Sequence, residues 1–148
     1  MSEDRKLKVL FLCTGNSCRS QMAEGCARVL KGDVIEAYSA GIEAHGMNPR
    51  AVQVMAEAGV DLSGQWSKPL EAVKDIPFDY VVTVCDNARE SCPILPGRGK
   101  MIHRSFEDPA GATGTEEEIL AVFRRVRDEV REFVEGMPGS LTEPGDES

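Results

Sequence analysis

Residues 9–20 read Val-Leu-Phe-Leu-Cys-Thr-Gly-Asn-Ser-Cys-Arg-Ser, and this run constrains the fold more tightly than any other. The apolar stretch ending at Leu12 reads as a strand buried on both faces. It stops at Cys13 and passes through small and polar residues to Arg19. A helical period begins there, with Met22, Cys26, Val29 and Leu30 on one face. Cys13 is therefore expected where a strand ends, just ahead of a helix. The backbone N–H groups of Thr14 to Arg19 can curl inward into a nest. Such a nest, backed by a helix N-terminus, holds an oxyanion. Arg19 adds a planar charged fork that pairs with two oxygens of a tetrahedral anion. The same positive groups favour the Cys13 thiolate. A thiolate ringed by anion-binding groups is a nucleophile aimed at a bound oxyanion. Five residues between cysteine and arginine is a moderately specific spacing, and its place at a strand-to-helix junction near the N-terminus strengthens it.

The rest of the chain supplies a frame for that junction. Strand one is expected over Lys8–Leu12, and its helix runs to about Leu30. Lys31-Gly32-Asp33 is a stop signal, followed by a strand over Val34–Ala40 that ends at Gly41. Asn48-Pro49 opens a helix with Asn as N-cap and Pro at the first position. Ala51, Val54, Met55 and Ala58 form its apolar face, and Gly59 is its stop. Ser67–Val73 reads as a short helix. Asp79–Val84 is a strand ending at Cys85, and Lys100–Phe106 is a weaker fourth strand. Thr115 and Glu118 form a capping box, followed by a buried stripe of Ile119, Leu120, Phe123, Val126, Val130, Phe133 and Val134. From Pro138 the composition is polar with Pro and Gly, so a domain over 1–137 and a disordered tail over 138–148 are expected. Strands alternating with helices give an α/β fold, a parallel sheet with helices on both faces. Ligands in such sheets bind at the carboxyl ends of the strands.

Charge and cysteine content narrow the function classes. The 148 residues carry a net charge of −8, which argues against nucleic acid or an anionic membrane as partner. An anionic substrate must then be drawn by a local positive site. No stretch approaches the roughly 20 apolar residues of a membrane span, and the charged N-terminus lacks a signal peptide's apolar region. A cytoplasmic setting is expected. Its five cysteines are then reduced at rest, and any disulfide is transient and catalytic.

The run CTGNSCRSQMAEG resembles the phosphate-binding loop of the low-molecular-weight tyrosine phosphatase superfamily, and more closely its arsenate reductase branch. The resemblance implies a four-stranded parallel sheet in the order 2-1-3-4. It makes Thr14, Gly15, Asn16, Ser17, Cys18, Arg19 and Ser20 the oxyanion loop, Cys13 the nucleophile and Arg19 a catalytic clamp. Asp108-Pro109 taken alone is a plain turn. The superfamily carries a catalytic Asp-Pro here, so the resemblance makes Asp108 the acid for the departing oxygen, with Glu107 a neighbour outside the motif. Phosphatases of this group usually show tyrosines after the Asp-Pro, whereas Ala110 and Gly111 follow here. The run TVCDNARESCPILP is similar to the matching segment of thioredoxin-coupled arsenate reductases, which makes Cys85 and Cys92 redox partners of Cys13. Taken alone, those two cysteines read equally as small buried hydrophobes.

The resemblance thus implies reduction of arsenate to arsenite, with phosphate or sulfate as analogues of arsenate. It implies no bound cofactor or metal, and thioredoxin as external reductant. The Cys13–Cys85 disulfide formed on arsenite release passes to Cys85–Cys92, because the thiol whose anion the loop stabilises leaves best. The second reading is a low-molecular-weight phosphatase hydrolysing phosphate monoesters through a Cys13 phosphoenzyme. The third is a non-enzymatic oxyanion-binding or redox-sensing module. A zinc site is weaker still, lacking a Cys-x-x-Cys pair or His-rich spacing. Cys18 is expected to serve through its backbone N–H and Cys26 as core. His45 and His103 read as structural or exposed, and Trp66 as a core anchor or a lid. Some family members hold potassium through the loop asparagine, a serine after strand two and a Thr-x-Asp pair. Asn16 and Ser39 match, but Trp66-Ser67-Lys68 replaces the pair, so the Lys68 ammonium is expected to replace the ion's charge. Finally, helix over seven residues rises about 10.5 Å, beyond the ~7 Å a disulfide allows. A helical 85–92 segment must therefore unwind to join Cys85 to Cys92.

Overall fold

The computed structural model describes residues 6–14, 18–44, 46–84 and 100–137. Four parallel strands form one sheet: β1 (Leu7–Cys13), β2 (Ile35–Gly41), β3 (Tyr80–Thr83) and β4 (Lys100–His103), in the order β2-β1-β3-β4. Among the described residues three α-helices accompany them: α1 (Arg19–Lys31), α2 (Pro49–Glu57) and α3 (Glu116–Glu135). The strand order and the parallel pairing agree with the sequence reading.

β1 is central, and Val9, Leu10, Phe11 and Leu12 are fully buried, as a strand covered on both faces requires. Phe11 pairs with Ser39 on one side and Val82 on the other. Ser39 donates to Glu24 of α1, so α1 packs on the Phe11–Val82 face. The opposite face carries Leu10 in register with Tyr38, and Tyr38 meets Phe78 edge-on with centroids 5.3 Å apart.

The two capped helices form where their signals stand. Asn48 Oδ1 accepts from the N–H groups of Arg50 at 2.9 Å and Ala51 at 3.3 Å, with Pro49 in the first turn. Gly59 follows α2 at φ +84°, the left-handed geometry that glycine adopts freely. At α3, Thr115 Oγ1 accepts from Glu118 N at 3.1 Å while Glu118 Oε1 accepts from Thr115 N at 2.8 Å. Leu120, Phe123, Val126, Val130, Phe133 and Val134 are buried as the stripe predicts. Arg124 of α3 forks onto Glu57 of α2, both contacts at 2.9 Å.

Four local expectations are corrected. Only Leu70–Val73 of the expected 67–73 helix forms, as a 3₁₀ turn. Lys68 O accepts from Gly41 N at 3.0 Å and Pro69 bridges Gly41, so those residues are spent on the edge of β2. The residue before a proline is also disfavoured in helix. β4 stops at His103, although Arg104 and Phe106 still donate to Thr83 O and Val84 O at 2.9 and 3.1 Å. Val29 is 49% exposed in the last turn of α1, where period alone assigned it to the core. Trp66 is 64% exposed and anchors no core. The expected tail over 138–148 lies outside the described residues.

Candidate active site

Cys13 is the last residue of β1 and is buried. Two continuations of β2 hold the chain as it leaves the sheet: Ile42 N donates to Cys13 O at 3.0 Å and Glu43 N to Thr14 O at 2.9 Å. Gly15, Asn16 and Ser17 lie outside the described residues. The chain then enters α1 through Cys18, which occupies the N-cap with φ −137° and ψ −84° and makes no side-chain cap. The first turn of α1 contains no acidic residue. Its second residue, Ser20, is fully buried, with Oγ 2.9 Å from Cys13 Sγ. A serine hydroxyl placed there can donate to a sulfur anion, and the helix N-terminus adds positive potential at the same junction.

Two further cysteines, Cys18 and Cys26, lie on or next to α1 and are buried. Burial, with Asp108 and Cys13 adding and Arg19 opposing, pushes the Cys18 thiol up to about 12. Burial pushes Cys26 up to about 11, with Arg131 and Arg127 opposing. Both therefore stay protonated at neutral pH, consistent with a backbone role for Cys18 and a core role for Cys26.

Arg19 opens α1 and reaches across to the chain beyond β4. Its Nη1 donates to Phe106 O at 3.0 Å, and its Nη2 is 3.6 Å from Asp108 Oδ2. Its Nε is buried and has no hydrogen-bond partner among the described residues. Asp108 Oδ1 accepts from Ala110 N at 3.0 Å, capping the 3₁₀ turn Pro109–Gly111. Glu107 goes elsewhere and pairs with Arg125 of α3. Of the two adjacent carboxylates, then, Asp108 is the one that Arg19 meets.

Cys85 and Cys92 lie outside the described residues, as does His45. The residue preceding Cys85 is described: Val84 N donates to Leu12 O at 2.9 Å. Val84 and Leu12 each immediately precede one of the cysteines in the chain. His103 Nδ1 lies 2.8 Å from Thr83 Oγ1, across the β3–β4 register, a structural contact.

Beside this junction lies a second cluster. Lys68 is buried, with Nζ donating to Trp66 O at 3.1 Å, 4.0 Å from Glu24 Oε1 and 4.6 Å from the Trp66 ring centroid. Burial holds its ammonium below the usual lysine range, and Glu24 partly restores it. Gln21 of α1 donates to Trp66 O at 3.1 Å, so this loop is tied to the helix that carries Arg19 and Ser20. Sequence reasoning did not single out Glu24. The signal was available, because Glu24 stands four residues after Ser20 and so on the same helix face. Among the described residues no group of three or more His, Cys, Asp or Glu is placed to hold a metal. No helix among them is long and apolar enough to cross a membrane.

Comparisons with known proteins bear on this arrangement. The family model for low molecular weight phosphotyrosine protein phosphatase matches residues 8–145. An arsenate reductase of Bacillus subtilis is 53% identical over 131 residues, covering 86% of this chain and 94% of that protein. An arsenate reductase of Halalkalibacterium halodurans is 53% identical over 125 residues, covering 84% and 90%. A solved structure described as an arsenate reductase in the phosphate binding state superposes with a TM-score of 0.74 at 37% identity, covering 92% of this chain and 99% of that one.

Proposed function

This chain belongs to the low molecular weight phosphotyrosine protein phosphatase family, and we propose that within it the protein reduces arsenate to arsenite. The observation that carries the reading is the buried contact of Cys13 Sγ with Ser20 Oγ, 2.9 Å, where Arg19 begins an α1 that has no acid in its first turn. That geometry suits a sulfur nucleophile facing a tetrahedral anion. The choice of arsenate over phosphate esters is supported by relatives named arsenate reductase at 53% identity, and by Cys85 and Cys92 in the sequence.

Arsenate sits in the loop from Thr14 to Ser20, and Arg19 uses its Nε and one Nη on two of the oxygens. The Cys13 thiolate attacks arsenic, and Asp108 protonates the oxygen that leaves as water. Cys85 then attacks the Cys13 sulfur. The electron pair of the S–As bond stays with arsenic, which departs as arsenite, and two sulfurs are oxidised to the Cys13–Cys85 disulfide. Cys92 attacks Cys85 and expels Cys13. Thioredoxin, in the cytoplasm, reduces the resulting Cys85–Cys92 disulfide. Lys68 supplies a fixed positive charge beside Glu24 and Ser39, in place of a cation. Initial rates equal in potassium and sodium at fixed ionic strength are expected, and a severalfold rise with potassium would count against this role.

The family match also favours a second reading, hydrolysis of phosphate monoesters through a Cys13 phosphoenzyme. A coupled assay separates the two. Catalytic, arsenate-dependent NADPH oxidation with thioredoxin and thioredoxin reductase supports reduction. Robust aryl-phosphate hydrolysis without arsenate turnover supports the phosphatase.

A further inference from the structure

The acid-bearing segment Phe106–Gly111 is gripped from two sides. On the α1 side, Arg19 Nη1 donates to Phe106 O at 3.0 Å and its Nη2 approaches Asp108. On the α3 side, the Phe133 ring meets Phe106 edge-on at 6.1 Å between centroids, and Arg125 pairs with Glu107. Arg125 is itself braced, since its Nη1 donates to Glu129 Oε2 at 3.2 Å one turn further along α3. Glu107 directly precedes Asp108. The guanidinium of a long, capped helix is thus tethered one residue from the carboxyl that faces Arg19.

The Arg125–Glu107 pair is solvent-exposed on both sides, and such pairs add little to global stability. Its effect on position is a separate matter. The Asp108 carboxylate itself is held by one bond, from Ala110 N, and a 3.6 Å approach to Arg19, while its carbonyl accepts from Gly111 N at 3.2 Å. An incoming oxyanion competes for that same arginine. The bond from Phe106 N to Val84 O, the Phe106–Phe133 contact and the Arg125–Glu107 pair do not depend on Arg19, and of these the Arg125–Glu107 pair acts on the residue adjacent to the carboxyl. Displacement of a reacting group by about 1 Å costs up to about 10²-fold in rate.

We infer that Arg125 is a positioning residue for Asp108, acting through Glu107. The inference rests on the reading of Asp108 as the acid, so the test is a double-mutant cycle on the single-turnover rate of arsenate-dependent Cys13 modification. Arg125→Ala is expected to slow that step by about 10-fold or more within the positional range above. Phosphate inhibition and the unfolding midpoint should stay near wild type. Arg125→Lys should recover most of the rate and Glu107→Gln should reproduce the loss. In an Asp108→Asn background, itself slowed by about 10²–10⁴-fold, adding Arg125→Ala should cost nothing further. A slowed Asp108→Asn combined with a wild-type rate in Arg125→Ala overturns this inference alone. An equal fold-loss from Arg125→Ala in both backgrounds does the same. A wild-type rate in Asp108→Asn overturns the acid reading and this inference with it.

Discussion

The N-termini of α1 and α3 solve the same problem in opposite ways. Every helix begins with N–H groups that have no partner within the helix. At α3 the protein satisfies them itself, with the reciprocal Thr115–Glu118 capping box and Glu116, Glu117 and Glu118 in the first turn. At α1 it does neither: Cys18 makes no side-chain cap, and the first turn holds Arg19, Ser20 and Gln21 in place of acids. An acid there would satisfy the helix and repel an anion. α3 therefore begins as a structural element, whereas α1 leaves its positive end uncapped beside Cys13, which is the arrangement the proposed oxyanion site requires. The lesson is that a missing cap, set next to a buried thiol and a half-satisfied arginine, points to a candidate site, where a present cap points to stability.

The hardest way to break this contrast is to remove the sulfur. Cys13→Ser should take arsenate reduction and aryl-phosphate hydrolysis to background together while circular dichroism stays native, since an alcohol is not ionised at neutral pH. Persistence of either activity would move the chemistry away from the α1 end. A smaller effect lies in anion-linked stability. Phosphate at 100 times its Kd should stabilise the fold by about 2.7 kcal/mol, and Arg19→Gln at the same phosphate concentration should lose most of that gain. Undiminished stabilisation in the variant would place the anion elsewhere. The smallest effect belongs to α3. Thr115→Ala should cost about 1 kcal/mol, with or without phosphate, and leave turnover unchanged. A turnover defect there would show that the two helix ends are not separate in role.

Much of this could be read from residues alone, and what could not has physical reasons. β1, the caps of α2 and α3 and the stripe of α3 rest on local period and turn chemistry. The strand order came from resemblance, because periodicity cannot say which strands are neighbours. Ser67–Val73 reads as helix by composition, but Lys68 and Pro69 are claimed by the edge of β2, a tertiary demand that local propensity does not register. Trp66 reads as a core anchor or a lid, and it is exposed, with its ring over the Lys68 ammonium, so the first of the two is excluded. In the candidate site, Cys13 and Arg19 stood out by their spacing at a strand-to-helix junction, whereas Asp108 taken alone reads as a plain turn and Ser20 as one more polar loop residue, so both entered through the resemblance. Arg125 was not legible, because its partner is 18 residues away in sequence and nothing local marks it.

The central claim is that arsenate is reduced by three thiols in sequence, and Cys92→Ser tests it most directly. With excess arsenate and no thioredoxin, this variant should form about one equivalent of arsenite per protein and then stop. Peptide mapping should find Cys13 joined to Cys85. Sustained turnover of Cys92→Ser with thioredoxin at the wild-type rate would contradict the relay, as would the absence of any arsenite from a folded protein.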